Sequence, residues 1–130
     1  MADGAAAATV DNFLAQFLNG TASTIVLGGL YCELHIGAPG AAGTANPALN
    51  TTREAAGTFT APSGGSASNT AAITWTSVPD TETYTDVALW TAATGGTFVA
   101  SGTITGGAVQ AGNTFTIPIG DLVVSMPVAS

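Results

Sequence analysis

At 130 residues the chain has the size of one domain, which at this length buries roughly two-thirds of the surface its unfolded form exposes. Gly, Ala, Ser and Thr dominate a sequence that is 46% hydrophobic and only 7% charged, so hydroxyls, amides and backbone solvate a surface suited to packing against a neighbour. Eight acids against one base, Arg53, give a formal charge of −7, which leaves no basic stripe for phosphates, excludes nucleic-acid binding and disfavours an anionic bilayer.

Met1 to Ala8 carries Asp3 where a secretory signal needs positive charge before an apolar stretch, so no export is expected and these residues read as a flexible start. From Thr9, the apolar positions Val10, Phe13, Leu14, Phe17 and Leu18 follow the i, i+3, i+4, i+7, i+8 stripe of an amphipathic helix. Thr9 is the expected N-cap, Asp11 and Asn12 the first turn, and Asn19-Gly20 the left-handed stop. This predicts one short helix, Val10 to Leu18, within a segment 9–20. It has two possible roles: covering one end of a sheet, or docking as an arm on a neighbouring subunit.

The pattern then turns to short β-like runs in a body spanning 24–126. Ile25 to Ile36 starts as a continuous apolar run and then alternates, Leu30, Cys32, Leu34 and Ile36 against Tyr31, Glu33 and His35, which predicts a strand with one wet face. Gly37 to Pro47 and Ala61 to Ser66 are turn-rich loops. Candidate strands follow near Arg53 to Thr60 and Ala67 to Thr76. Glu82 to Thr91 alternates Tyr84, Asp86, Ala88 and Trp90 against Thr85, Val87 and Leu89, and Ala93-Thr94-Gly95-Gly96 delivers it into Thr97 to Ile104 as a hairpin. After the Gly106-Gly107 break come Thr114 to Ile119, with Pro118 at an edge or strand end, and Leu122 to Met126. Gly57-Thr58-Phe59, Gly96-Thr97-Phe98 and Gly112-Asn113-Thr114-Phe115 repeat one turn-to-strand grammar at irregular spacing. The expectation is all-β: a single antiparallel β-sandwich or jelly-roll-like domain with one short N-terminal α-helix. The apolar runs break on Gly, Thr and Pro too soon to span a membrane, so a soluble protein is expected.

Little in the chain could carry chemistry. Cys32, the only cysteine, forms no internal disulfide, which fits assembly in a reducing cytoplasm, and strand alternation sends it to the face opposite His35, the only histidine. No G-x-S-x-G elbow accompanies His35, which reads as a surface or interface residue. Asp80, Glu82, Asp86 and Asp121 lack a calcium-loop pattern and read as solvated turn acids. Gly37, Gly40 and Gly43 match neither dinucleotide nor P-loop spacing. No catalytic residue, metal or cofactor is therefore assigned. Trp75, Trp90, Tyr31 and Tyr84 suit either a core or an interface.

Several segments in order resemble a known group. They are Leu18-Asn19-Gly20; Tyr31-Cys32-Glu33-Leu34-His35-Ile36-Gly37-Ala38-Pro39-Gly40 with Gly43-Thr44-Ala45-Asn46; Gly64-Gly65-Ser66-Ala67-Ser68-Asn69-Thr70-Ala71; Val87-Ala88-Leu89-Trp90-Thr91-Ala92-Ala93-Thr94-Gly95-Gly96; and Gly112-Asn113-Thr114-Phe115 with Gly120-Asp121-Leu122. The chain resembles small structural proteins of tailed bacteriophages, variously described as head decoration, minor tail or tail fibre proteins; Thr52-Arg53-Glu54 departs from the family's usual segment. The resemblance implies a virion structural role without enzyme activity. The partners expected are the major capsid protein, or tail proteins, of the same virion, and further copies of the chain as a homo-oligomer, since flat low-charge surfaces and strand edges call for partners. Acidity and compactness favour decoration of the capsid exterior, with a minor tail or tail-fibre protein as the alternative. Expected contact residues are Val10, Phe13, Leu14, Phe17, Pro39, Pro47 and Trp90. A host-surface glycan site would use Trp90 and Asp86 as an exposed platform.

Overall fold

The computed structural model describes residues 3–22, 29–126 and 129. Its elements in chain order are α1 (Ala7–Asn19), β1 (Tyr31–His35), β2 (Glu54–Ala55), β3 (Ser66–Ser68), β4 (Ile73–Trp75), β5 (Glu82–Trp90), β6 (Phe98–Val109), β7 (Phe115–Ile117) and β8 (Val123–Ser125). A six-stranded sheet in the order β2-β1-β5-β6-β8-β3 and a two-stranded sheet, β4-β7, are antiparallel throughout. The expected all-β architecture with one helix is the one the chain adopts. Short strands separated by Gly-rich turns leave no room for crossover helices, so antiparallel pairing follows.

Between the two sheets lies the main core. Ile73, Trp75 and Ile117 from the small sheet pack with Cys32, Leu34, Tyr84, Val87, Leu89, Ile104 and Leu122. A smaller apolar cluster on the other face of the large sheet joins Ala6, Ala88 and Phe98, with Trp90 packed against it.

The β5/β6 ribbon organises the large sheet, and its register departs from the simple alternation expected. Tyr84 pairs with Gly107, but Asp86 pairs with Thr103, so β6 bulges out across Ile104 to Gly106. Such a bulge changes which face a side chain meets, and Tyr84 consequently enters the same core as Val87 and Leu89. Gly106 and Gly107, read from sequence as a break, lie inside β6 because the bulge needs a residue without a side chain there.

Other expectations shift for local reasons. The helix starts at Ala7, its N-terminus flanked by Ala6 without a side-chain cap, and Thr9 lies inside it. The Thr9 hydroxyl serves tertiary structure instead, donating to the Val99 carbonyl at 2.7 Å. At the other end Gly20 adopts the left-handed conformation expected, its N–H bonded to Gln16 O and that of Thr21 to Ala15 O. The start expected to be flexible is engaged from Gly4 onward, with Ser101 N–H donating to Gly4 O at 2.7 Å and Ala6 N–H to Val99 O at 2.8 Å. The apolar run at Ile25 to Gly28 lies outside the described residues. All three glycines of the repeated turn-to-strand grammar, Gly57, Gly96 and Gly112, hold positive φ, of 72, 76 and 88°, which a residue with a Cβ rarely adopts.

Asn69 ties the ends of both sheets together. Fully buried, it donates through Nδ2 to Ala71 O (2.8 Å) and Pro118 O (3.0 Å), and its Oδ1 accepts from Leu122 N–H at 3.0 Å. Removing the amide leaves buried partners unpaired, so Asn69→Ala is expected to cost about 2–3 kcal/mol in denaturant unfolding. Asn69→Asp costs at least as much, since it aims an acceptor at two carbonyls. A change below about 0.5 kcal/mol would remove Asn69 from this role.

Candidate partner-contact surface

Helix α1 touches the sheet sparingly. Thr9 is its one buried residue. Phe13 is half-buried, while Leu14, Phe17 and Leu18 are 43%, 72% and 71% exposed, with Val10 at 37%. The i, i+3, i+4 spacing sets Leu14, Phe17 and Leu18 on one side of the helix, so the stripe that predicted burial is largely presented to solvent. Beside the helix runs an apolar groove of about 320 Å³, lined by Thr9, Phe13, Leu30, Phe59, Leu89 and Val124 among others. A helix that only covers one end of the sheet would bury this stripe, which it does not.

The remaining expected contacts divide. Pro47 is exposed, next to the exposed Leu49. Pro39, expected at the surface, is buried instead, because the Gly37 to Pro47 loop folds onto the sheet: Ala45 N–H donates to Pro39 O, Ile36 N–H to Asn46 O, and Gly43 packs so closely on the Phe98 ring that a Cβ there would lie 2.5 Å from it. Trp90 is half-buried under the Arg53 guanidinium, whose central carbon sits 4.3 Å from the ring centroid. Arg53 is held there by Glu33 (3.3 Å) and by the carbonyls of Ala92 (2.9 Å) and Gly95 (2.7 Å). With Asp86 only 8% exposed, the open Trp90 and Asp86 platform expected for a sugar does not form. Sequence reasoning did not single out Leu49 and Ile119, 71% and 69% exposed: Leu49 lies in a proline-containing loop, and Ile119 ends a predicted strand that stops at Ile117, before Pro118.

Under the folded loop lies a buried polar layer where a wet face was expected. His35 is fully buried, its Nδ1 2.8 Å from Ala45 O and its Nε2 2.9 Å from Glu33 Oε1. Carbonyl and carboxylate oxygens only accept, so both ring nitrogens donate when the two bonds form together. Burial alone would raise the Glu33 carboxyl, but the hydrogen bond from His35 and the Arg53 charge outweigh it and hold its pKa below the ordinary glutamate value. Across the sheet, His35 pairs with Asp86, Asp86 with Thr103, and Ala88 with Ser101. The Asp86 carboxylate accepts from the Thr85 hydroxyl. On the N-terminal segment one Asp3 carboxyl oxygen is buried without a partner, and burial, with Asp86 nearby, raises the Asp3 pKa to about 7.

This layer does not assemble a nucleophile. Asp86, not a serine, stands opposite His35, and acceptors engage both imidazole nitrogens. Cys32 lies in the apolar core, where burial pushes its thiol up to about 12. Two other acids are tied to backbone: Glu82 accepts from Leu49 and Asn50 N–H groups, and Asp121 from Thr105 N–H. They anchor loops, a more specific role than the solvated turn acids expected.

The described residues thus set a helix with a largely exposed apolar stripe on an acidic β body. Residues 4–125 match the family model for the Podophage GP4 fiber I protein gp80, from the segment before α1 to the last strand. The chain belongs to this family. It is thus a phage virion structural protein, as the resemblance implied. No curated protein matches the chain. The gp80 family match spans the helix, the folded loop and every strand, so the exposed stripe belongs to the matched unit.

Proposed function

We propose that the chain is a non-enzymatic fibre-type component of the phage tail, seated on neighbouring virion proteins through the apolar side of α1. The observation that carries this reading is the gp80 fiber family match over residues 4–125, and the exposed Leu14, Phe17 and Leu18 supply the means of attachment. It prefers the tail to the capsid exterior that acidity alone favoured. Acidity is compatible with any outward position, whereas the family description names a fibre. One compact module without heptads or fixed-period repeats serves as a connector or knob on a fibre, not as its shaft. The burial of Asp86 and the capping of Trp90 by Arg53 speak against the glycan platform.

Labelling the protein in assembled particles and counting copies by electron microscopy tests the location. A few copies confined to the tail are expected, while many copies spread over the head would overturn the proposal in favour of decoration. The attachment surface is tested by Phe17→Asp with Leu18→Asp. The pair is expected to cut incorporation into particles by roughly tenfold or more while shifting unfolding by less than about 0.5 kcal/mol, since both side chains are already exposed. Unchanged incorporation would remove α1 as the contact.

A further inference from the structure

We propose that the outward stripe of α1 and the apolar groove beside it are two halves of one contact, in which a second copy of this chain lays its stripe over the groove and receives the first copy's stripe in return. The pairing rests on the reading of α1 as the attachment side and names what it attaches to. Stripe and groove are continuous. Thr9 and Phe13, one turn apart on the helix, form a wall of the groove, and Phe17 stands one turn further along, among the most exposed apolar side chains of the described residues. A two-fold axis beside the helix places each stripe against the other copy's groove, which makes the face self-complementary.

Charge points to a second copy as the occupant. Chains of formal charge −7 repel one another wherever their acids face. Asp11 is the only charged residue of α1, and none of the described residues lining the groove is charged. On this face two such acidic chains meet with little like charge between them, whereas a basic partner would find one carboxylate to pair with. The composition is also that of an interface centre, depleted in charge and carrying the aromatic rings of Phe13, Phe17 and Phe59. At about 320 Å³ the groove lies at the small end of the roughly 300–1,000 Å³ range of ligand cavities, a size that takes protruding side chains such as Phe17 and Leu18 and not a whole helix.

Area sets the strength of the contact. A helix of 13 residues is about 20 Å long, and with the groove alongside the face is about two helix diameters across, a footprint of about 400 Å² per copy. Each partner in a standard complex contributes about 800 Å², roughly twice as much. The dimer is therefore weak, with a Kd of about 10–100 µM, and it fills wherever copies already sit as neighbours on one particle.

The test is analytical ultracentrifugation of the full chain between about 5 µM and about 500 µM, where an equilibrium between monomer and dimer is expected. Raising salt from about 0.05 M to about 0.5 M should tighten it about two- to threefold, because screening relieves the repulsion of two −7 chains and leaves the apolar contact in place. Phe17→Asp with Leu18→Asp should weaken association roughly tenfold or more. Ala67→Phe should do the same without adding charge, since Ala67 lines the groove opposite Val124 and the larger ring fills it from its own wall. Both variants are expected to keep the circular-dichroism spectrum of the wild type. A chain that stays monomeric throughout, or a dimer unaltered by either change, would overturn the proposal. A monomeric wild type combined with lost incorporation of the Phe17 and Leu18 double variant into particles would mean that the stripe seats on another virion protein, so the pairing fails and the attachment side stands. A dimer broken by that double variant, with incorporation unchanged, would remove α1 as the seat and leave the pairing.

Discussion

Gly106→Ala is expected to be the most damaging methyl group that can be added to this protein. The Cβ would lie 1.4 Å from the Tyr84 carbonyl oxygen and 2.6 Å from its carbon, both backbone atoms of the paired strand, which no rotamer change can relieve. The β5/β6 ribbon would have to open at the bulge that turns Tyr84 into the core. Overpacking usually costs about 1–3 kcal/mol, and a clash with backbone at this distance belongs beyond that, at about 4 kcal/mol or more. For a chain of this size that is a fall in Tm of roughly 10–20 °C, or loss of soluble folded protein. Gly107→Ala is the matched control: the site has open space, and the change is expected to stay within about 0.5 kcal/mol. Equal behaviour of the two variants in thermal unfolding would show that the bulge does not have this geometry.

Trp75→Ala carries the second large effect. Trp75 is 1% exposed, stands opposite Phe115 in the β4/β7 pair with ring centroids 6.1 Å apart, and donates through Nε1 to Thr52 O at 2.9 Å. Phe115 in turn meets Tyr84 edge-on at 4.9 Å, so the indole supports an aromatic row linking the small sheet to β5. Deleting it leaves a cavity between the sheets, with an expected loss of about 3–5 kcal/mol in denaturant unfolding. Trp75→Phe restores much of the volume but not the donor and should lose about half as much. A loss under about 1 kcal/mol for the alanine variant would mean the two sheets do not depend on this contact.

The two tryptophans show how far sequence could be read. Both sit in β-rich runs and both were open to a core or an interface reading. Trp75 is core because β4 lies against the large sheet. Trp90 is half-covered because Arg53, distant in sequence, stacks on it. Nothing within either run distinguishes them. Among the expected contact residues, Val10, Leu14, Phe17 and Pro47 are exposed, Phe13 lines the groove and Pro39 is buried. Helical periodicity identified the stripe correctly but could not say whether a neighbouring element would cover it.

By itself the sequence determined what depends on neighbours along the chain. The β class follows from alternation and Gly-rich turns, the hairpin turn from Ala93-Thr94-Gly95-Gly96, the helix stop from Gly20, and the end of β7 from Pro118, because φ preferences and side-chain periods are local properties. Tertiary structure alone decided which faces meet water. The Gly37 to Pro47 loop folds over Glu33 and His35 and makes a polar layer of an expected wet face. The bulge at Gly106 sends Tyr84 to the core, and Thr9 bonds to Val99 instead of capping its own helix. Burial is a relation between segments far apart in sequence, so the same residues would read alike whether or not that partner arrived. That is why Asp86, an expected turn acid, becomes a buried residue between His35 and Thr103 only once the chain is folded.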